Sequence, residues 1–255
     1  MQHATSADLA RHFDALAPAW TACDFLDAPG EAEHVLRLLK LGTRETGLDL
    51  ACGSGQLTAG LAAAGGRILA ADLSERMLKL AACRFVEQRL NNIVITVQDA
   101  HRLEYANGLF SWVVCRYAWR LFENPALVLK ELSRVTRPGA RLYFCDWSEP
   151  AAQLDACLGR LDPFHRSCLS EAWWVEQLEG LPFTVESRRR RPERLDPIIW
   201  GELAGLPAEE ARRRFDEFRA AEGAGTQCLE LDGRPVWIAE RLEQVLVRIE
   251  GRPAR

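Results

Sequence analysis

The chain opens with helical spacing: Leu9, Phe13, Leu16 and Ala17 fall on one face, and residues 8 to 41 read as helical with a break at Pro29-Gly30. Past that break, Glu31 to Leu41 places Val35, Leu36, Leu38 and Leu39 on an apolar side. From Gly47 the pattern changes to short apolar runs that alternate with helical stretches. Strands are predicted at Gly47–Ala51, Arg67–Ala71, Ile93–Val97, Ser111–Arg116 and Arg141–Asp146, with helices at Leu57–Ala64, Ser74–Leu90 and Pro125–Val135 between them. Such alternation predicts parallel strands joined by right-handed crossovers, because each crossover helix must cover a face of the sheet. The expected fold class is therefore α/β: a Rossmann-like, doubly wound, mostly parallel seven-stranded sheet with an N-terminal helical segment and a helical cap. Beyond Asp146 the rhythm loosens into helices at Ala151–Leu161, Ser170–Glu179 and Ala208–Glu222 and a strand at Phe183–Arg189. Two segments, Cys228–Leu231 and Glu243–Ile249, have the character of a last strand, and the second is preferred for its Val/Leu/Ile run.

With 255 residues, 48% of them hydrophobic and 27% charged, the chain fits a single globular domain and neither a disordered nor a fibrous protein. The expected organisation is one domain over 1–255, with N-terminal helices at 1–41, a core at 42–147, and cap and C-terminal strands at 148–255. A formal net charge of −4 disfavours nucleic acid or an anionic membrane as partner, since both need surplus Lys and Arg. A small molecule is expected instead. The eight cysteines form no CxxC pair and several lie in apolar runs, so they are read as reduced, buried and cytoplasmic. Neither a leader-like N-terminus nor an apolar run of membrane-spanning length is seen. The sequence carries no compact cluster with metal-ligand spacing, and it leaves the oligomeric state open.

Chemistry concentrates at Asp49-Leu50-Ala51-Cys52-Gly53-Ser54-Gly55, between the first strand and its helix. This puts backbone N–H groups at the carboxyl end of a strand, in the crevice where doubly wound sheets bind ligands. The residues at Gly53 and Gly55 lack side chains, which allows a ligand to approach the main chain. A tight strand-to-helix turn would use the same glycines, so spacing decides. Asp72 ends the second strand about twenty residues on, where it can accept two ribose hydroxyls, and Asp99 follows the third strand, where an adenine amine would lie. The third glycine of the dinucleotide fingerprint is replaced by Thr58, and Asp49 would repel a pyrophosphate but suits an ammonium group. These features favour S-adenosyl-L-methionine (SAM) over a nicotinamide dinucleotide.

The motifs GLDLACGSGQLT (47–58), ILAADLSERMLKLA (68–81), VQDAHRLEY (97–105) and SWVVCRYAWRLFENPALVLKELSRVTRPGARLYFCDW (111–147) resemble the class I SAM-dependent methyltransferases. The likeness is to the small-molecule branch that includes ubiquinone/menaquinone-biosynthesis-type enzymes. FDALAPAW (13–20) and LDPFHRSCLSEAWW (161–174) are similar to that branch as well. The resemblance implies that Asp49, Gly53 and Gly55, with Ala51 in the same loop, hold the methionine portion of SAM. It further assigns Asp72 to the ribose, Leu73 and Met77 to an adenine face, Asp99 and Ala100 to the adenine edge, and Arg116 to the methionine side. Trp20 would fold the N-terminal segment over the cofactor.

One departure bears on catalysis. Many relatives carry RxAxHHF after the fourth strand, whereas this chain reads Arg116-Tyr117-Ala118-Trp119-Arg120-Leu121-Phe122 and lacks both histidines. A guanidinium stays protonated and cannot serve as a base, although Arg120 can clamp an anion or form a structural ion pair. The remaining catalytic candidates are His165, Asp146 and Tyr117. His165 suits proton transfer near neutral pH, and Asp146 ends the fifth strand at the same crevice. Trp119, Trp147, Trp173 and Trp174 suit either packing or stacking on substrate, with packing the commoner use. Arg188-Arg189-Arg190-Arg191 with Arg194 reads as a solvated face, and Cys52 as packing within the loop. The expected activity is methyl transfer from SAM to a small metabolite. A different cleavage of SAM (cyclisation or transfer of its aminobutyryl arm) and a catalytically silent SAM-binding protein are the alternatives.

Overall fold

A computed structural model describes residues 5–21, 30–41, 45–148, 152–222, 228–231 and 234–250. Two helices, α1 (Ser6–Thr21) and α2 (Glu31–Leu39), precede the sheet. Then follow β1 (Thr46–Leu50), α3 (Gln56–Leu61), β2 (Arg67–Asp72), α4 (Glu75–Glu87), β3 (Ile93–Val97), β4 (Phe110–Arg116), α5 (Pro125–Val135) and β5 (Thr136–Ser148). The cap comprises α6 (Ala152–Leu161), α7 (Glu171–Leu178), β6 (Phe183–Leu195), α8 (Pro197–Leu203), α9 (Ala208–Glu222), β7 (Cys228–Leu231) and β8 (Arg234–Arg248).

The main path of the sheet runs β3-β2-β1-β4-β5-β8-β6, with β7 paired to β8 as an eighth strand. β1 through β5 are mutually parallel, and β8 is antiparallel to β5, β6 and β7. This is a Rossmann-like doubly wound sheet. Strand order reverses on either side of β1, which pairs with β2 on one side and β4 on the other. The carboxyl ends of β1 and β4 thus form the crevice at the switch point.

Alternating side chains feed two apolar layers. Leu48, Leu50, Val113, Cys115, Leu142 and Phe144 join one cluster with α5 and α7, while Ile68, Trp112, Val114, Tyr143 and Cys145 join the other with α1, α2 and α8. β1, β2, β4 and β5 are thereby buried on both faces, which is why these segments read as continuous apolar runs, whereas the edge strand β3 leaves Val94, Ile95 and Val97 exposed.

Several elements differ from the sequence expectation. The 57–64 helix is α3 followed by a 3-10 turn at Ala62–Ala64. The fifth strand begins at Thr136 instead of Arg141, with an irregular register between Phe110 and Trp112 on β4. Both C-terminal candidates are strands. β6 continues to Leu195 because its arginine run pairs with β8. On that strand Arg188 and Arg190 both bind Glu171, and Arg191 lies 3.5 Å from Glu243. The pattern passed over α8 entirely, although Asp196-Pro197 is a start signal: the Asp196 carboxylate accepts from the Ile198 and Ile199 amides at 2.9 and 3.2 Å. Cys52, Cys115, Cys145, Cys157 and Cys168 are buried, but Cys83 is exposed; Cys23 and the Cys228 side chain lie outside the described residues. No helix among the described residues is long and apolar enough to cross a membrane.

Candidate functional site

A cavity open to solvent lies over the carboxyl ends of β1 to β4. Its floor is the loop after β1, where Ala51, Gly53 and Gly55 take left-handed φ of 57°, 56° and 78°. The loop is tied to the next strand end: the Gly53 and Ser74 amides donate to the two Asp72 carboxylate oxygens at 2.8 and 2.9 Å. Burial pushes the Asp72 carboxyl up, with the amides of Ser74, Gly53 and Leu73 pulling it back. A Cβ placed on Gly53 would have nothing within 4 Å, so its open side faces the space a ligand would fill. Gly55 differs. It stands outside the cavity lining, and a Cβ there would sit 2.6 Å from Phe85, so the approach of α4 requires this glycine. The structure gives no support to direct ligand contact at Gly55.

Asp49 lies at the base of the cavity, buried beneath the loop. Its Oδ2 accepts from Thr58 Oγ1 at 2.5 Å. Burial pushes its pKa up to about 7, against that hydrogen bond and the nearby Arg116 charge. Thr58, read from sequence only as a missing glycine, is thus the partner of the first acid. Arg116 ends β4, lines the cavity and lies 3.6 Å from Glu31 on α2. Leu73, Met77, Ala51 and Ala100 line the walls with Asp99.

Asp99 brings in His101, which sequence reasoning did not single out although it stands two residues away. The Asn124 amide donates to His101 Nε2 at 3.1 Å, so in this arrangement Nδ1 carries the hydrogen and donates to Asp99 Oδ1 at 2.7 Å. The tautomer is fixed from both sides. The roof is α1, whose Ser6, Leu9, Phe13 and Trp20 reach the cavity. Trp20 Nε1 donates to the Leu203 carbonyl at 2.8 Å, and Asp14 accepts from Ser74 Oγ and the Arg76 amide at 2.6 and 3.0 Å.

The expected catalytic residues fare differently. Tyr117 lines the cavity at a φ of 57°, but its hydroxyl donates to Glu193 at 2.7 Å and accepts from Arg241 at 3.1 Å. Arg120, Asp146 and His165 do not line it. The Arg120 guanidinium is only 1% exposed, sits 4.9 and 4.8 Å from the Trp147 and Trp200 rings, donates to the Tyr117 carbonyl, and pairs with Asp146 at 3.3 Å. It is a structural ion pair here because two indoles and a carboxylate enclose it. His165 Nε2 bonds Asp155 at 2.8 Å in the cap. Asp155 also accepts from the Cys168 amide at 2.5 Å, so the Asp155, His165 and Cys168 grouping, invisible in linear spacing, staples the 162–168 loop to α6. Trp119 and Trp174 pack together at 4.7 Å between centroids, Trp173 lies against Trp174, and Trp147 lies against Trp200. None of the four expected tryptophans lines the cavity, so packing is their use.

Residues 48–144 match the family model described as a methyltransferase domain. That stretch holds the loop and all three strand-end acids. The chain resembles the class I SAM-dependent methyltransferases. It is 37% identical over 118 residues to the demethylmenaquinone methyltransferase of Mycolicibacterium vanbaalenii, covering 46% of this chain and 49% of that one. It spans about half the length of that relative and 64% of the demethylmenaquinone methyltransferase of Mycolicibacterium paratuberculosis, to which it is 31% identical over 153 residues, 58% of this chain. A provisionally assigned methyltransferase from Bacillus halodurans superposes with a TM-score of 0.78 at 21% identity, covering 86% of this chain and 99% of that one. The (4+2)-cyclase SpnF superposes with a TM-score of 0.70 at 16% identity, covering 97% of both chains. These two likenesses establish the fold alone.

Proposed function

We propose that this protein binds SAM and transfers its methyl group to a small molecule in the cytoplasm. The observation that carries the reading is that Asp49, Asp72 and Asp99, at or just beyond the ends of β1, β2 and β3, line one cavity together with the open side of Gly53. In this reading Asp72 accepts the ribose hydroxyls, and Asp99 with Ala100 receives the adenine edge between Leu73 and Met77. Asp49 faces the methionine ammonium, Arg116 the carboxylate, and Trp20 on α1 closes the roof. When bound, SAM supplies a methyl group already activated on a sulfonium, whose leaving group is a neutral thioether.

The chain's own part is then to orient the acceptor and exclude water. The turn after β4 contributes Tyr117, Leu121 and Phe122 to an apolar wall. The imidazole and the phenol on the cavity wall are already engaged: His101 by Asp99 and Asn124, and the Tyr117 hydroxyl by Glu193 and Arg241. This arrangement supports acceptors that ionise unaided or need no deprotonation. Demethylmenaquinone, in the name of the mycobacterial relatives, is the first acceptor to try in its reduced form.

The test is mass spectrometry of SAM incubated with and without acceptor. S-adenosylhomocysteine (SAH) and a methylated acceptor are expected only when both substrates are present. Release of methylthioadenosine from SAM alone would reject methyl transfer, and binding without turnover on any acceptor would favour a silent binding protein.

A further inference from the structure

Behind the cavity wall, charged side chains from α2, β4, β6 and β8 meet in the interior. Glu31, at the first position of α2, projects its carboxylate between two arginines: Oε1 lies 3.6 Å from Arg116 and Oε2 lies 3.4 Å from Arg241. All three side chains are about nine-tenths buried. Arg241 is itself held from the far side by Glu193 at 3.3 Å, by Glu243 and by the Tyr117 hydroxyl. Arg191, 3.5 Å from Glu243, brings three arginines to the three acids, so the cluster tolerates burial.

Arg116 is the member of this cluster that reaches the cavity, and its charge acts on buried Asp49. Glu31 does not reach it. Its Oε1 is buried and accepts no hydrogen bond among the described residues, because 3.6 Å to Arg116 is an ion-pair separation and too long for a hydrogen bond. A carboxylate so placed acts on the guanidinium by charge, drawing it toward α2 and away from Asp49. Without that pull, Arg116 would be drawn toward Asp49 and would neutralise the acid that an ammonium is to meet.

Resting on the proposed SAM reading, we infer that Glu31 is a positioning residue that holds Arg116 apart from Asp49, so that the cavity offers separate sites for the carboxylate and the ammonium of an amino-acid moiety. The recognised chemistry is a zwitterionic α-amino acid end. The adenosine end, served by Asp72 and Asp99, does not depend on Glu31.

Two probes separate the ends: SAH carries the amino acid, and methylthioadenosine lacks it. Calorimetry on the full chain is expected to give Glu31→Gln about tenfold weaker SAH binding, with methylthioadenosine affinity within twofold of the parent. Arg116→Met is expected to weaken SAH alone, and adding Glu31→Gln to it should cost little more, since Glu31 acts through Arg116. Should Glu31→Gln fail to fold, Glu31→Asp, which keeps the charge but draws it back by one methylene, is expected to give the same selective loss to a smaller degree. Equal losses for both probes, or unchanged SAH binding in a folded Glu31 variant, would overturn the inference while leaving the SAM reading intact. A parent protein that binds neither probe would overturn both.

Discussion

Asp49 shows at single-residue scale how burial and function are opposed. Burial raises its pKa to about 7, whereas an unfolded aspartate titrates near 3.9. The folded state therefore holds this proton more tightly than the unfolded state does, and the contribution of Asp49 to apo stability falls as pH rises from about 4 to 7. In the proposed SAM site, ligand binding would have the opposite sign, because an ammonium prefers the ionised acid. SAH affinity is expected to rise with pH up to about 7 and then level, by up to about tenfold per unit below that point. Asp49→Asn should flatten the profile and raise the apo melting temperature at pH 8 but not at pH 4; a parallel profile in the variant would remove Asp49 from the ammonium site. The acid and its spacing to Asp72 and Asp99 were legible in the sequence. Its partner Thr58 was not, because a hydrogen bond from the third residue of a helix back to a strand depends on how the loop between them is folded.

At the scale of elements, α1 is the piece whose placement decides access to the cavity. It is anchored at one point by Asp14, which accepts from Ser74 and Arg76 where α4 begins, and at its end by Trp20 on Leu203. Asp14→Ala removes the first anchor from a partly buried position, so global stability should change by about 1 kcal/mol. Hydrogen exchange of residues 6–21 is expected to accelerate several-fold while β1 and β4 stay protected, and SAH binding should weaken by about three- to tenfold. If exchange in α1 is unchanged, Asp14 is not what holds the roof. Helical spacing predicted this element correctly, with Leu9 and Phe13 on one face; it gave no sign that the face covers a cavity as well as a core. The same limit explains the arginines of β6: four in a row read as solvated, yet pairing with β8 brings Arg191 to Glu243, and the docking of α7 brings Arg188 and Arg190 to Glu171.

For the whole molecule, the cap is joined to the core through a buried charge, Arg120, between Trp147 of β5 and Trp200 of α8. Removing one member of a buried pair leaves the other uncompensated and costs about 3–5 kcal/mol. Arg120→Ala is expected to lower the melting temperature by roughly 10 °C, and Arg120→Met with Asp146→Asn to recover much of that loss. A melt unchanged in Arg120→Ala would show that the pair contributes little. The sequence by itself determined the core: alternating apolar runs and helices fixed the parallel strands, and the strand-end acids with Gly53 marked the candidate ligand site, because both depend on signals local to each strand end. Tertiary structure alone decided the rest. It withdrew Arg120, Asp146 and His165 from the cavity, gave Gly55 to the packing of α4, and brought Glu31 behind Arg116, because burial and charge pairing between residues far apart in sequence depend on which elements pack together.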